Sequence, residues 1–111
     1  MKKLFISQPM RGKTKEEIEE TRQRAIESAT AHIKEEYGQD EEVEVINSFV
    51  DSSLVQKDCV MSLWMLGAAL QKLSMADVAY FCKGYEDSRG CRVENLAAVD
   101  YGIELVIEDY R

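Results

Sequence analysis

Short, dense apolar runs alternate along this chain with longer stretches in which apolar residues recur every three or four positions. The first run, Lys3-Leu-Phe-Ile6, stops at Ser7-Gln8-Pro9, where the chain's single proline bars a continued strand. In Thr14-Lys-Glu-Glu17, Thr14 is placed to cap a helix and Glu17 to return the bond. Ile18, Ala25, Ile26, Ala29 and Ile33 keep helical spacing, so the pattern predicts a helix over 15–37, closed by Gly38. Val43-Glu-Val-Ile46 reads as a second strand, and a second helix is predicted over 54–73. Asp77 introduces a third strand, Val78 to Cys82, and a polar loop runs from Lys83 to Gly90. A third helix over 91–101 places Val93, Leu96, Ala97 and Tyr101 on one face; Gly102 ends it, and Ile103 to Ile107 make a fourth strand. The order β-α-β-α-β-α-β predicts a parallel sheet with helices on both faces and right-handed crossovers. The expected fold is α/β, a small three-layer α/β/α domain with a four- to five-stranded, mainly parallel sheet. No linker or repeat divides residues 1–111, which read as a single domain.

The second helix differs from the other two. Val60, Met61, Leu63, Trp64, Met65, Leu66, Ala68, Ala69 and Leu70 cover most of its circumference, and a helix apolar nearly all round is buried on more than one side. In so short a chain a second copy supplies that other side, so a homo-oligomer through helix 54–73 is expected. Folding of the loop at 47–53 over the helix is the alternative.

Composition narrows the partners. The 111 residues carry 21 acidic and 14 basic side chains, a net charge of −7, which disfavours a nucleic-acid polymer because phosphate backbones need a cationic footprint. No apolar run approaches the ~18 residues of a membrane span and no signal-peptide pattern opens the chain. Three cysteines without metal-ligand spacing fit a reducing compartment, so a cytoplasmic protein is expected.

Ligands of open parallel sheets bind at the carboxyl ends of strands, near the point where strand order reverses. Two loops leave such ends with unusual composition: Ser7-Gln-Pro-Met-Arg-Gly-Lys13 and Gly84 to Gly90. Each joins small residues to an arginine ahead of a helix, a combination suited to an anion such as phosphate. Neither is a Walker or dinucleotide fingerprint, and ordinary turns are the competing reading. Glu94 is expected in the first turn of the third helix, where the helix dipole favours the ionised carboxylate. Such a carboxylate attacks an anomeric carbon or stabilises an oxocarbenium ion. His32, the single histidine, reads as a surface or semi-buried helix residue, and Cys91 as a packing residue. Trp64 belongs to core or interface, Asp40-Glu-Glu42 to a solvated turn, and no metal site is read from the sequence.

Lys3-Leu-Phe-Ile-Ser-Gln-Pro-Met-Arg-Gly-Lys13 resembles the opening of nucleoside 2-deoxyribosyltransferase-like proteins, in particular a small branch whose first strand ends in Ser-x-Pro-Met-Arg-Gly. The stretch Ala76 to Glu94 is similar to the second half of that pattern, with Ala76-Asp77 opening the third strand and Ser88-Arg89-Gly90 preceding the glutamate. The resemblance implies a flavodoxin-like arrangement of strands and a nucleoside or nucleotide as ligand. It implies a retaining cleavage or transfer of the N-glycosidic bond, with Glu94 as nucleophile and no cofactor. It implies, too, that Ser88 and the Arg11-Gly12 turn hold a 5′-phosphate, with Ser7, Pro9, Met10, Arg89 and Gly90 completing the substrate site. Relatives with demonstrated chemistry usually carry tyrosine where this chain has Phe5 and aspartate where it has Ala69. Those two departures keep a second expectation open: a non-catalytic nucleotide-binding or sensing module.

Overall fold

In the computed structural model, which describes residues 1–55 and 57–108, strands and helices alternate from the first residues onward. The elements are β1 (Lys2–Ser7), α1 (Lys15–Tyr37), β2 (Val43–Val45), α2 (Met61–Leu73), β3 (Val78–Phe81), α3 (Arg89–Asp100) and β4 (Glu104–Ile107). The sheet of the described residues has four strands in the order β2-β1-β3-β4, all neighbours parallel. Leu4 sits between Val45 and Val78, while Ser7 at the far end of β1 lies beside Phe81.

The layering follows from the hand of the crossovers. The chain moves one way from β1 to β2, passes back over β1 to reach β3, and continues that way to β4. If each crossover is right-handed, the reversal puts α1 on one face and α2 and α3 on the other. Side-chain alternation along the strands serves both faces. Leu4, Ile6, Val78, Tyr80 and Cys82 pack against Ala25, Ala29 and Ile33 of α1. On the opposite face Phe5, Ala79 and Phe81 pack against Leu73 of α2 and Ala98 of α3.

α1 has the ends that its sequence predicts. The Thr14 hydroxyl accepts from the Glu17 amide at 3.1 Å, and the Glu17 carboxylate accepts from the Thr14 amide at 2.9 Å. Gly38 leaves the helix at φ 113°, and Lys34 Nζ donates to the carbonyls of Gln39 and Glu41 beyond it. The two other helices depart from expectation. α2 begins at Met61 rather than residue 54, because two aspartates interrupt the preceding segment. Asp51 caps a separate 3-10 turn, Ser52–Leu54, by accepting from the Ser53 amide, and Asp58 takes the left-handed conformation at φ 65°. Gln56, inside the expected helix, lies outside the described residues. α3 begins at Arg89, two residues early, because Ser88 serves as its cap.

Within one chain α2 is not buried all round. Only Leu73 is fully buried, whereas Met61 is 57% and Leu63 64% exposed. Leu96 and Val99 of α3 add exposed apolar surface. No helix among the described residues is long and apolar enough to cross a membrane. Replacing Thr14 by alanine removes the hydroxyl half of the α1 capping box while the residue-14 amide can still donate to Glu17, and thermal unfolding of the variant is expected about 4–8 °C lower, roughly 1 kcal/mol of stability.

Candidate functional site

Two loops meet at the carboxyl edge of the sheet, where β1 and β3 lie side by side and the strand order reverses. The first leaves β1 as Gln8–Lys13 and tightens through a bond from the Lys13 amide to the Met10 carbonyl at 3.1 Å. Gly12 makes that turn at φ 77°, a left-handed conformation in which a β-carbon is strained. The second leaves β3 through Gly84, at φ 89°, and a short 3-10 turn, Tyr85–Asp87, before Ser88 accepts from the Cys91 amide and starts α3. The two loops abut: a β-carbon on Gly84 would stand 3.6 Å from Cγ of Pro9.

Glu94 is carried inward from the second turn of α3, not the first, as a consequence of the earlier helix start. It is 8% exposed, and its Oε1 accepts from the Ser7 hydroxyl at 2.8 Å. The dipole effect expected of a first-turn carboxylate fades beyond that turn. Burial dominates instead and pushes the carboxyl up to about 7, with the Ser7 hydrogen bond opposing it. The sequence expectation of a dipole-favoured carboxylate is thus reversed: near neutrality the group is close to half protonated. Ser7 donates to this carboxyl from the last position of β1.

Above Glu94 opens a largely apolar cavity of about 650 Å³, lined by Phe5, Phe49, Met65, Leu66 and Ala69 together with Ser7 and Gln8. Its outer wall is the segment after β2, held to α1 by Arg22, which donates to the Ser48 hydroxyl at 2.9 Å and to the Ile46 carbonyl at 3.2 Å. Beside it lies a second cavity of about 620 Å³, lined by Arg11, Lys13, Lys83, Arg89 and Arg92 with Asp87 and Ser88. Gly90 lines both, so the two are neighbours across the first turn of α3.

The residues singled out by sequence divide between these cavities. Ser7, Met10, Gly90 and Glu94 line the apolar one; Pro9, Arg11, Ser88, Arg89 and Gly90 line the cationic one. Gly12 lines neither and shapes the turn that carries Arg11. Sequence reasoning missed Gln8, Arg22, Phe49 and Met65 as cavity residues. Gln8 is buried, with Nε2 donating to the Ile18 carbonyl at 3.0 Å and Oε1 without a donor. A polar residue between the end of β1 and the proline was the available signal for it. Lys13, Lys83 and Arg92 were likewise not singled out, although Lys13 ends the first recognised loop and the other two flank the second.

Other candidates fall away from this edge. Cys91 is buried beneath the site, and burial pushes its thiol up, as suits a packing residue. His32 is exposed on α1 near Glu36 and Glu104, the three offering ligating atoms within 4.8 Å of one another. Tyr37 donates to Glu104 at 2.6 Å in the same place. The sequence reading saw no such cluster, because Glu104 comes from β4 and only the fold brings it to α1. Comparison with protein-family models, curated proteins and solved structures returns no match to this chain.

Burial of Glu94 has a measurable cost. An acid at about 7 in the folded chain and about 4.5 unfolded binds more protons when folded between those values, so its contribution to stability falls as pH rises through that window. Glu94→Gln is therefore expected to match wild type near pH 4 and to exceed it at pH 8 by up to about 3 kcal/mol, read by denaturant titration at both pH values. A variant less stable at pH 8 overturns the burial argument.

Proposed function

We propose that the chain is a nucleoside 2-deoxyribosyltransferase-like domain that binds a (deoxy)nucleoside 5′-monophosphate and cleaves or transfers its N-glycosidic bond. The reading is carried by one observation: a buried carboxyl, held by Ser7 at the reversal point of the sheet, in the wall of an apolar cavity that has a cationic cleft for a neighbour. The apolar cavity suits a base and sugar, and the cleft suits a phosphate received by Arg11 and the amino end of α3. Ser88 and Arg89 stand at that end, with Pro9 and Gly12 setting the facing turn.

In the proposed route a Glu94 oxygen forms a bond to C1′ as the C1′–N bond breaks, and the base departs with the bonding pair. A water, or the nitrogen of a second base, then displaces the glutamate from C1′ with loss of a proton. Two inversions give net retention, as in glycosidases with a carboxylate nucleophile. Only ionised Glu94 attacks, so the pKa of about 7 makes the rate rise with pH through neutrality. The Ser7 hydrogen bond favours the ionised form and aims the attacking oxygen.

A second reading is a nucleotide-binding or sensing module without turnover. It is favoured by the cavity wall, where Phe5 and Ala69 supply no hydroxyl or acid and the carboxyl besides Glu94 is that of exposed Glu19. Overnight incubation with a panel of ribo- and deoxyribonucleoside 5′-monophosphates, followed by chromatography for free base, separates the readings. Release that increases from pH 6 to pH 8 and is lost in Glu94→Gln is the expected result. No release, with the monophosphates still raising the melting temperature, overturns the enzyme in favour of the module. Neither release nor stabilisation overturns both.

Self-association through residues 54–73 belongs to the same proposal, since α2 and the neighbouring side of α3 expose Met61, Leu63, Leu96 and Val99. Light scattering at micromolar concentration is expected to give a dimer or larger species that Leu63→Glu dissociates. A monomeric wild type counts against it.

A further inference from the structure

The cationic cleft holds more charge and more space than one phosphate uses. A 5′-monophosphate brings about −1.5 to −2 at neutral pH. Among the described residues the cleft is lined by Arg11, Lys13, Lys83, Arg89 and Arg92 against one carboxylate, Asp87. This concentration occurs in a chain of net charge −7 with fourteen Lys and Arg in all, so the surrounding surface is predominantly acidic. Among the described residues no carboxylate oxygen lies within 4.0 Å of the charged nitrogens of Arg11, Lys13 or Arg89. Like charges gathered along one edge repel one another, and an anionic ligand relieves that repulsion.

The geometry points to a second anion subsite, made by Lys13, Lys83 and Arg92, and hence to a ligand in which a second phosphate extends the 5′-phosphate: a nucleoside 5′-diphosphate or another pyrophosphate-bearing nucleotide. The inference rests on the nucleotide reading above and deepens it. Arg11 and the amino end of α3 take the first phosphate, next to Gly90 and the apolar cavity. The remaining cations come from three separate elements, the loop after β1, the loop after β3 and the first turn of α3. Arg92 is steadied by Nη1, which donates to the Glu86 carbonyl at 3.2 Å, and Lys13 by the turn bond to Met10. Volume argues the same way. Small-molecule sites span about 300–1,000 Å³, so the apolar cavity alone houses a nucleoside, and a second cavity of about 620 Å³ is far more than one phosphate fills.

Calorimetric titration at about 0.15 M salt, where exposed charges are screened beyond ~8 Å, tests this with the 5′-mono- and 5′-diphosphates of adenosine, guanosine, cytidine and uridine. For the preferred base the diphosphate is expected to bind about tenfold more tightly than the monophosphate, the scale of one or two charge-assisted hydrogen bonds. The double variant Lys13→Ala/Arg92→Ala, altered at two exposed positions, is expected to erase that advantage while leaving monophosphate affinity within about twofold. Equal affinity for mono- and diphosphate overturns the second subsite and leaves the proposed function standing. So does an advantage that survives in the double variant. Inorganic pyrophosphate binding as tightly as the diphosphate also overturns it, since charge alone then accounts for the gain. Failure of every nucleotide to bind overturns the proposed function as well.

Discussion

The position of β1 in the sheet governs the rest of the molecule. It is the first strand, yet the return of the chain over it leaves β2 on one side and β3 on the other. Right-handed crossovers in opposite directions then send α1 and α2 away to opposite faces, and the carboxyl end of β1 is left facing a crevice. Both arginine-bearing loops open there because the strands that feed them are nearest neighbours, with Ser7 beside Phe81. A domain with so few strands has one such place, and its polar chemistry collects there.

Glu94 shows how far that crevice departs from an ordinary surface. A carboxyl placed there loses more hydration than a single serine hydroxyl returns, so its ionised form is held at the expense of the fold. Sites that store strain of this kind are common where a group must react rather than merely be solvated. The neighbouring cleft imposes the opposite demand, a gathering of cations a few residues away along the same helix. Gly90, which lines both cavities, separates the two environments with no side chain of its own.

Much of the fold was legible because its signals are local. The Thr14–Glu17 capping box, the run from Leu4 to Ile6 and the alternation of strand with helix need no distant partner to be read. The errors are also instructive. Apolar periodicity carried the expected α2 back to residue 54, whereas Asp51 caps a separate turn and Asp58 takes a left-handed conformation, which together break it. Arg89-Gly90 looked like loop, although Ser88 had the right chemistry to cap a helix there. At the site, Glu94 and the two loops were found from their places at strand ends. The raised carboxyl was not, since it depends on burial that exists only once the chain has folded and that outweighs the bond from Ser7, 87 positions away in sequence. The Arg22 tether and the orphan acceptor of Gln8 likewise exist only once α1, β1 and the segment after β2 are packed together.

The half-protonated state of Glu94 has a consequence for any occupant of the apolar cavity. A neutral group laid over the carboxyl strips away its remaining water and draws a proton from the buffer. A group that presents a positive charge or a strong donor drives the proton out. Complex formation near neutrality is thus coupled to proton exchange with solvent, and its heat depends on the ionisation enthalpy of the buffer. The sign of that exchange reports what stands against Glu94: proton uptake marks an apolar neighbour, and release marks a cationic or donating one.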